Sequence, residues 1–352
     1  MQFCVDLNPV KPLHSYTSAT FCEKTRRCKP GNPSTHKRQM MKKIAIVAAL
    51  AALSASAFAQ SSVTLWGRLN TSVESIKEGT NSRVVKMVNN NSRLGFKGTE
   101  DLGGGLKASF ALEHGLNSDD GKATNAAFWN REASVQLAGS FGAVRLGKWT
   151  PGSYFATADY VSMHNHDTGN SEDKLYSGAG FTTTNKIGYF TPNIDGFSGE
   201  VAVHLGEGAA GEKRSTDLAG NYDQGPLHLG AGYSEQGDAK QWGARALYEL
   251  GEITIGGYYQ RADEGAAGTK AYNIYRLAAM YTMGASEFHV NFGSAANNST
   301  VAGVDTSGKQ FTLAYNYNLS KRTKVYGFYT NLDKKINSGD LSSLAVGIRH
   351  NF

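Results

Sequence analysis

Residues 95–115 read GFKGTEDLGGGLKASFALEHG and show the pattern on which the fold prediction rests. From Leu106 to Glu113, apolar and polar side chains occupy alternate positions. A period of two residues predicts a strand with one apolar and one polar face. The glycine-rich Asp101–Gly105 joins this strand to a preceding one, which predicts a tight turn. A phosphate-binding loop is disfavoured because such a loop opens a helix.

The same alternation recurs along residues 62–352, for example at Val63–Asn70 and Leu344–Arg349. Together with the turn signals between them, these runs predict sixteen strands of roughly ten residues each. The predicted strands span residues 62–74, 91–100, 105–115, 127–138, 142–149, 184–191, 197–206, 216–223, 227–235, 240–250, 252–262, 270–282, 286–294, 308–319, 323–333 and 341–352.

Two folds share this pattern: a soluble β-sandwich, whose apolar faces form a core, and a membrane barrel, whose apolar face contacts lipid. The polar face carries many charges and glycines, and aromatic residues cluster near strand ends, as at Tyr258-Tyr259. Short turns also alternate with long polar connections. In lipid every backbone group needs a partner, so a β-structure has to close. We therefore predict an all-β fold: a transmembrane antiparallel β-barrel of sixteen strands.

A secretory signal peptide precedes the first strand. Residues 41–60 read MKKIAIVAALAALSASAFAQ: two lysines, an apolar run, and small residues that end in Ala57-Phe58-Ala59. This order is typical of a cleaved signal, and the run is shorter than the ~20 apolar residues of a transmembrane helix. We predict cleavage between Ala59 and Gln60, which leaves residues 60–352 as the barrel domain.

The forty residues before the predicted signal lack apolar periodicity. We interpret residues 1–40 as a disordered extension that results from a misplaced translation start. The alternative is a metal or redox module built on its three cysteines, whose spacing matches no common zinc pattern. Residues 1–59 hold nine of the 36 Lys and Arg and two of the 30 Asp and Glu, which leaves 27 basic and 28 acidic residues in the barrel domain. Without an excess of positive charge, no nucleic-acid partner is expected.

Several stretches resemble the Gram-negative general porins of the β-proteobacterial, Neisserial type. They are SSVTLWGRLN at 61–70, NSRLGFKGTEDLGGGLKASFALEHG at 91–115, NREASVQLAGSFGAVRLGK at 130–148 and LAVGIRHNF at 344–352. The resemblance implies a sixteen-stranded barrel that assembles as a homotrimer, with a long third loop folded into the lumen as a constriction. Lys97 and Trp66 depart mildly from the family pattern, in which Arg and an aromatic residue such as Tyr are expected.

The resemblance also implies a location in the outer membrane of a Gram-negative bacterium. The implied partners are further copies of the chain, outer-membrane lipids and lipopolysaccharide, the barrel-assembly machinery and small hydrophilic solutes. The last strand ends in Phe352, which resembles the recognition signal for that machinery. The alternative is an ordinary final strand that happens to end in Phe.

The third long connection, residues 149–177, is too long for an ordinary loop and is therefore expected to be functional. Its acidic residues are Asp159, Asp167, Glu172 and Asp173. Basic residues that point inward by strand parity are Arg68, Arg93, Lys97, Lys107 and Arg145, with Arg349 on the last strand. Facing each other across a narrow waist, the two sets predict a transverse field that orients dipolar solutes. The alternative is that these charges are only solvated residues of the lumen.

These features predict a general diffusion porin that passes small hydrophilic solutes and ions passively. The alternatives are a substrate-specific channel, an adhesion or immune-evasion protein, and an outer-membrane enzyme. No Ser–His–Asp or paired-carboxylate arrangement stands out, so no catalytic residues are predicted. His164–Asp167 allows a metal site as an alternative, which is disfavoured because no other ligands cluster nearby. We predict no metal and no cofactor.

Overall fold

A computed structural model describes residues 62–159, 161, 168–208, 211, 213–336 and 339–352. These residues form antiparallel strand segments in a single sheet, with a short helix, α1, at Gly152–Thr157. The segments are β1 (Ser62–Glu78), β2 (Val84–Asn89), β3 (Arg93–Gly103), β4 (Leu106–Gly115), β5 (Glu132–Gly139), β6 (Gly142–Lys148), β7 (Lys186–Phe190), β8 (Phe197–His204), β9 (Ser215–Gln224), β10 (Leu227–Gln236), β11 (Ala239–Leu250), β12 (Ile253–Asp263), β13 (Tyr272–Met283), β14 (Ser286–Ala295), β15 (Gly308–Asn318), β16 (Thr323–Lys334) and β17 (Leu341–Asn351). Within these ranges, no helix is long and apolar enough to span a membrane. The predicted cleavage site and the residues before it lie outside the described residues.

The sheet closes on itself. β17 pairs with β1 along one edge, from Arg68 opposite Asn351 to Glu78 opposite Leu341. On the other edge of β1, β3 pairs with its first half and β2 with its second half, so that β2 and β3 together occupy one position in the barrel. The structure is therefore a closed barrel of sixteen antiparallel strands, and the fold prediction is confirmed.

The break between β2 and β3 has a local cause. Asn91 has a φ of 55°, in the left-handed region that Asn tolerates better than most residues. The neighbouring Asn90 points inward and donates hydrogen bonds to the hydroxyls of Ser72 (2.9 Å) and Tyr326 (2.7 Å). The sequence places β2 in a loop, which is wrong. β1 continues beyond its predicted end at residue 74, and β2 pairs with Thr71–Ile76, which spans that predicted end.

The predicted start of β5 at residue 127 is also wrong, because a turn occupies the preceding residues. The Asn130 side chain accepts a hydrogen bond from the Gly115 backbone N–H at 2.7 Å. Phe128 stacks on His114, with 4.5 Å between the ring centroids. These contacts turn the chain across the end of β4, so that pairing resumes at Glu132.

Side chains alternate between the outer and inner faces of the barrel. Their polarity is the reverse of that in soluble proteins, with apolar side chains outside and polar side chains inside. Outward-pointing apolar side chains are exposed, for example Leu277 (65%) and Val346 (66%). Inward-pointing polar side chains such as Asn70, Gln260 and Thr330 are fully buried. An apolar outer face and a polar inner face are suited to a barrel surrounded by lipid. A β-sandwich would bury the apolar face instead.

One end of the barrel carries only short connections, whereas the connections at the other end range from residues 237–238 to residues 149–185. The connections at the first end agree with the predicted tight turns and cover residues 104–105, 140–141, 191–196, 225–226, 251–252, 284–285 and 319–322. The longest described connection at the other end, residues 149–185, carries α1. This connection contains the loop in which the sequence places the acidic side of the waist.

The terminal residue completes the seam between β1 and β17. Phe352 and Gly67 exchange two backbone hydrogen bonds, each 3.1 Å long. The Phe352 ring lies so close to Gly67 that a Cβ at position 67 would be 2.3 Å from a ring carbon. A side chain at position 67 therefore requires the ring to move.

We predict that Gly67→Val lowers the temperature at which the folded barrel unfolds in detergent, with a free-energy cost of about 1–3 kcal/mol, as is typical of overpacking. Gly220→Val is the matched control, because Gly220 also lies on a strand and a Cβ there would meet no atom within 4 Å. The measurement is the conversion of the folded to the unfolded band on gel electrophoresis after stepwise heating. Equal unfolding temperatures for the two variants would contradict the close contact.

Candidate functional site

Basic residues predicted for the wall lie on neighbouring strands at the inner face. Arg68 on β1 and Arg93 on β3 stand directly opposite each other. Like charges in this position repel each other. Glu113 on β4 supplies a counter-charge: its carboxylate lies 3.5 Å from the Arg93 guanidinium and also accepts a hydrogen bond from Arg131. Glu113 is thus held between two arginines.

Arg145 extends the wall on β6. Its Nε donates to Gln136 at 3.0 Å, and its Nη1 lies 3.8 Å from the carboxylate of Glu132. The guanidinium is 4.5 Å from the ring centre of Phe190 and 5.6 Å from that of Trp149. Contact with two rings and two polar groups holds this guanidinium in a defined orientation.

The two predicted lysines differ in their position along the wall. Lys97 lines a cavity that adjoins the arginines and shares Arg145 with them. Lys107 lies beside the short turn that follows β3. Gly115 is the β4 residue opposite Arg93, and eight positions of extended chain, roughly 26 Å, separate it from Lys107. Lys107 is not among the described residues that line the cavity shared by Arg68, Arg93 and Arg145.

The long third connection begins against the inner face of the barrel. α1 packs on β9, β10 and β11, and the Ser153 N–H donates to the carboxylate of Asp217 at 3.2 Å. Gly230 and Gly232 on β10 lie directly beneath the helix. A Cβ at these two positions would lie 2.0 Å and 2.6 Å from helix atoms. The helix can lie this close to the wall only because both residues are glycine.

A buried ion pair anchors the connection further along. The Asp173 carboxylate receives hydrogen bonds of 2.6 and 2.8 Å from Arg276 on β13, and both side chains are 0% exposed. Tyr258 and the backbone N–H groups of Leu175 and Tyr176 donate to the same carboxylate. A carboxylate that is fully paired and shielded from water does not face the lumen. Asp173, which the sequence assigns to the constriction, is instead an anchor of the loop.

The protonation of this anchor follows from its surroundings. Burial acts to raise the pKa of Asp173, but the charge of Arg276 and the hydrogen bonds from Arg276, Tyr258 and Leu175 outweigh it and lower the pKa. The ionised carboxylate therefore stabilises the folded loop at pH values above about 3.9, the ordinary pKa of Asp. This contribution is lost as the pH falls through the lowered pKa. The loop is expected to stay anchored in mild acid.

The other predicted acids occupy different environments. Asp159 lines the same cavity as the three arginines of the wall. Glu172 is half-buried and forms an ion pair with Lys174. Asp167 lies outside the described residues, as do His164 and His166 of the alternative metal site. Among the described acids of the loop, the structure brings Asp159 against the wall.

A cavity of about 560 Å³ lies between the wall and the loop. Its charged lining consists of Arg68, Arg93, Arg131, Arg145, Glu113, Glu132, Asp159 and Glu200. Rings of Tyr154, Phe155 and Phe190 border the same space. Opposite charges therefore meet across a polar passage inside the barrel.

Strand parity finds part of this set and misses the rest. It finds Arg68, Arg93 and Arg145 because they lie on regular strands. Glu113 occupies an inward position of β4, so that parity could have found it. Arg131 lies in the connection before β5, and nothing in the sequence signals that it contacts Glu113.

A closed barrel with an apolar outer face, a polar inner face and a loop beside a charged passage defines a transmembrane channel of the porin class. The chain belongs to the Gram-negative porin family, whose model matches residues 46–337. Outer membrane porin protein 32 of Delftia acidovorans is 32% identical over 89% of this chain and 100% of the relative. Major outer membrane protein P.IB of Neisseria meningitidis serogroup B is 27% identical over 89% of each chain. The predicted family, outer-membrane location and diffusion-channel function are confirmed.

Solved structures agree with this assignment. The anion-selective porin from Comamonas acidovorans superposes with a TM-score of 0.70 and 28% identity, covering 83% of this chain and 100% of that one. The trimer form of OmpT from Vibrio cholerae superposes with a TM-score of 0.62 at 15% identity, over 83% of this chain and 99% of that one. At that identity the second likeness shows the fold alone.

We predict that Asp173→Asn makes the single-channel current noisier at pH 7. Removing one partner of a buried ion pair leaves Arg276 uncompensated, at a cost of about 3–5 kcal/mol. Asp238→Asn is the matched control, because the Asp238–Lys213 pair has side chains that are 80% and 59% exposed. Exposed pairs contribute only about 0–1 kcal/mol.

The measurement is the current noise of each channel between pH 7 and pH 3. The parent should stay quiet down to about pH 4 and become noisy only when the pH falls further, through the lowered pKa of Asp173. A quiet Asp173→Asn channel at pH 7 would rule out the anchor role.

Proposed function

We propose that the channel is a general diffusion porin whose waist carries a transverse electric field. Arg68, Arg93 and Arg145 form the positive side, and Asp159 on the loop belongs to the negative side. The observation that supports this proposal is the cavity that all four residues line. Dipolar solutes align in such a field, whereas apolar solutes must displace ordered water without compensation. The channel passes small hydrophilic solutes and ions passively and catalyses no reaction.

We also infer a preference for anions. Two acids of the cavity are largely buried, each 9% exposed: Glu113 lies between two arginines, and Glu200 accepts a hydrogen bond from Trp149 Nε1 at 2.8 Å. The side chains of Arg131 and Arg145 are 31% and 27% exposed, compared with 24% for Glu132 and 12% for Arg93. The net charge of the water-exposed side chains is therefore more positive than the formal net charge of all the residues that line the cavity. The similar porin from Comamonas acidovorans is described as anion-selective.

We predict that replacing Arg68 and Arg145 together with Gln shifts ion selectivity toward cations, because Asp159 then faces a weaker positive wall. Asp159→Asn should shift selectivity toward anions. Lys107→Gln is the control, because this residue does not line the cavity that the three arginines share. The measurement is the reversal potential across a tenfold KCl gradient.

Both shifts should shrink as the salt concentration approaches 1 M, where the Debye length is about 3 Å. If the double arginine variant keeps the reversal potential of the parent, these side chains do not control the narrow part of the pore.

We infer that the chain assembles as a homotrimer, in line with the family resemblance and with the trimer form described for OmpT. Outer-membrane lipids, with lipopolysaccharide among them, are the expected neighbours of the remaining apolar outer face. Phe352 is proposed as the signal for the barrel-assembly machinery, which fits its place at the end of the last strand. The Gly67→Val variant tests the packing of Phe352 at the seam separately from its proposed role as an assembly signal. The variant disturbs the seam but leaves Phe352 in place.

Processing of the chain is a further proposal. We infer that residues 41–59 are a signal peptide, that residues 1–40 are an extension from a misplaced start, and that the barrel domain begins at Gln60. Mass spectrometry of the protein purified from outer membranes should find Gln60 at the amino terminus, because the small residues before it form the cleavage site. Peptides containing Cys22 or Cys28 in that preparation would overturn the misplaced start.

A further inference from the structure

Phe155 is an apolar side chain in an unusual place. It lies on α1, within the long third connection, and is 44% exposed. The outward-pointing apolar residues of the strands are exposed toward lipid, whereas Phe155 lines the charged cavity beside the wall. Exposure of a phenyl ring to water is unfavourable, and an exposed ring beside charged groups in a cavity is a candidate contact for a ligand.

The helix fixes the direction in which this ring points. Gly152, Ser153, Ala156 and Thr157 of α1 are buried. The helix therefore presents Phe155 on its free side. The Tyr154 ring packs edge-on against Phe155, with 5.5 Å between the ring centroids. The phenyl ring is held by its neighbours and remains accessible from the cavity.

A second ring borders the cavity on its wall side. Phe190 points inward from β7, and the Arg145 guanidinium lies 4.5 Å from its ring centre. Arg68, Arg93 and Arg131 border the same space. One cavity thus combines the exposed ring of Phe155 with the guanidinium groups of the wall. A ligand that uses both features carries an aromatic ring and an anionic group.

Carboxylate is the anion that fits this lining best. Guanidinium groups pair with carboxylates through two parallel hydrogen bonds. Aromatic rings attract one another in offset or edge-on arrangements, which an aliphatic group cannot reproduce. The carboxylates of the cavity repel every anion, and they repel a dianion more strongly than a monoanion. Glu113 already pairs with Arg93 and Arg131, so fewer guanidinium donors remain for a second carboxylate of the ligand.

We propose that this cavity is a binding site for aromatic monocarboxylates, with Phe155 as the residue that contacts the ring and the wall arginines as the carboxylate ligands. The proposal rests on the diffusion function proposed above and adds a preferred class of solute. A transient site of this kind raises the local concentration of the solute at the waist.

The experiment uses benzoate as the probe, with the intact protein in planar bilayers at 0.1 M KCl, where the Debye length is about 10 Å. Benzoate should interrupt the chloride current at a concentration about fivefold or more below that required for acetate. Cyclohexanecarboxylate tests whether the ring must be aromatic, and benzylammonium tests whether the charge must be negative. Each should interrupt the current less effectively than benzoate.

Two variants locate the site. Phe155→Ala should weaken the effect of benzoate about fivefold and leave that of acetate unchanged, since only the ring contact is lost. Phe141→Ala is the matched control, because Phe141 is also exposed (46%) but lies in the short turn between β5 and β6. This control should behave as the parent does toward both acids.

The outcomes separate the two proposals. An open channel in KCl that responds equally to benzoate and acetate would overturn the aromatic site and leave the diffusion function intact. An equal response to benzylammonium would overturn the carboxylate assignment, and an equal response to cyclohexanecarboxylate would overturn the aromatic one. A loss of benzoate sensitivity in Phe141→Ala as well would show that Phe155 is not the ring contact. Absence of any KCl conductance would contradict the diffusion function itself.

Discussion

One constraint governs this molecule: backbone hydrogen-bonding groups that face lipid must be paired within the protein. β1 meets this constraint by pairing on both edges, with β17 on one and with β2 and β3 on the other. Closure then separates two environments and gives each strand one apolar and one polar face. The last pair of the seam, Gly67 with Phe352, completes the ring of strands with the final residue of the chain.

Closure of the barrel also gives charged residues two environments, one buried and one facing the cavity. Asp173 and Arg276 are both removed from water, and their pairing is stabilising because additional donors satisfy the carboxylate. Arg131 and Arg145 keep contact with the cavity instead. The same residue types therefore serve two purposes: the buried pair holds the loop in place, and the exposed charges act on solutes. Only partners and burial distinguish them.

The sequence predicts the barrel well because a period of two residues is imposed by the pleat itself and survives in nearly every strand. β2 escapes the prediction because it shares one edge of β1 with β3, and no local pattern shows that two segments pair with the same strand edge. The site is harder to predict. Parity places Arg68 and Arg93 inward. On the loop, however, Asp159 and Asp173 are equal candidates for the negative side of the constriction, and only their contacts with distant strands distinguish their roles. Arg131 and Phe155 lie outside the strands, where parity gives no information.

The glycines beneath α1 have a consequence for the width of the channel. Gly230 and Gly232 allow the helix to rest on the backbone of β10 without intervening side chains. A methyl group added at either position would lie between the wall and the helix. It would displace the helix toward the arginines on the opposite wall and narrow the bore. Substitutions on β10 would therefore change the diameter of the passage by the size of the added side chain, without changing any charged residue that lines it.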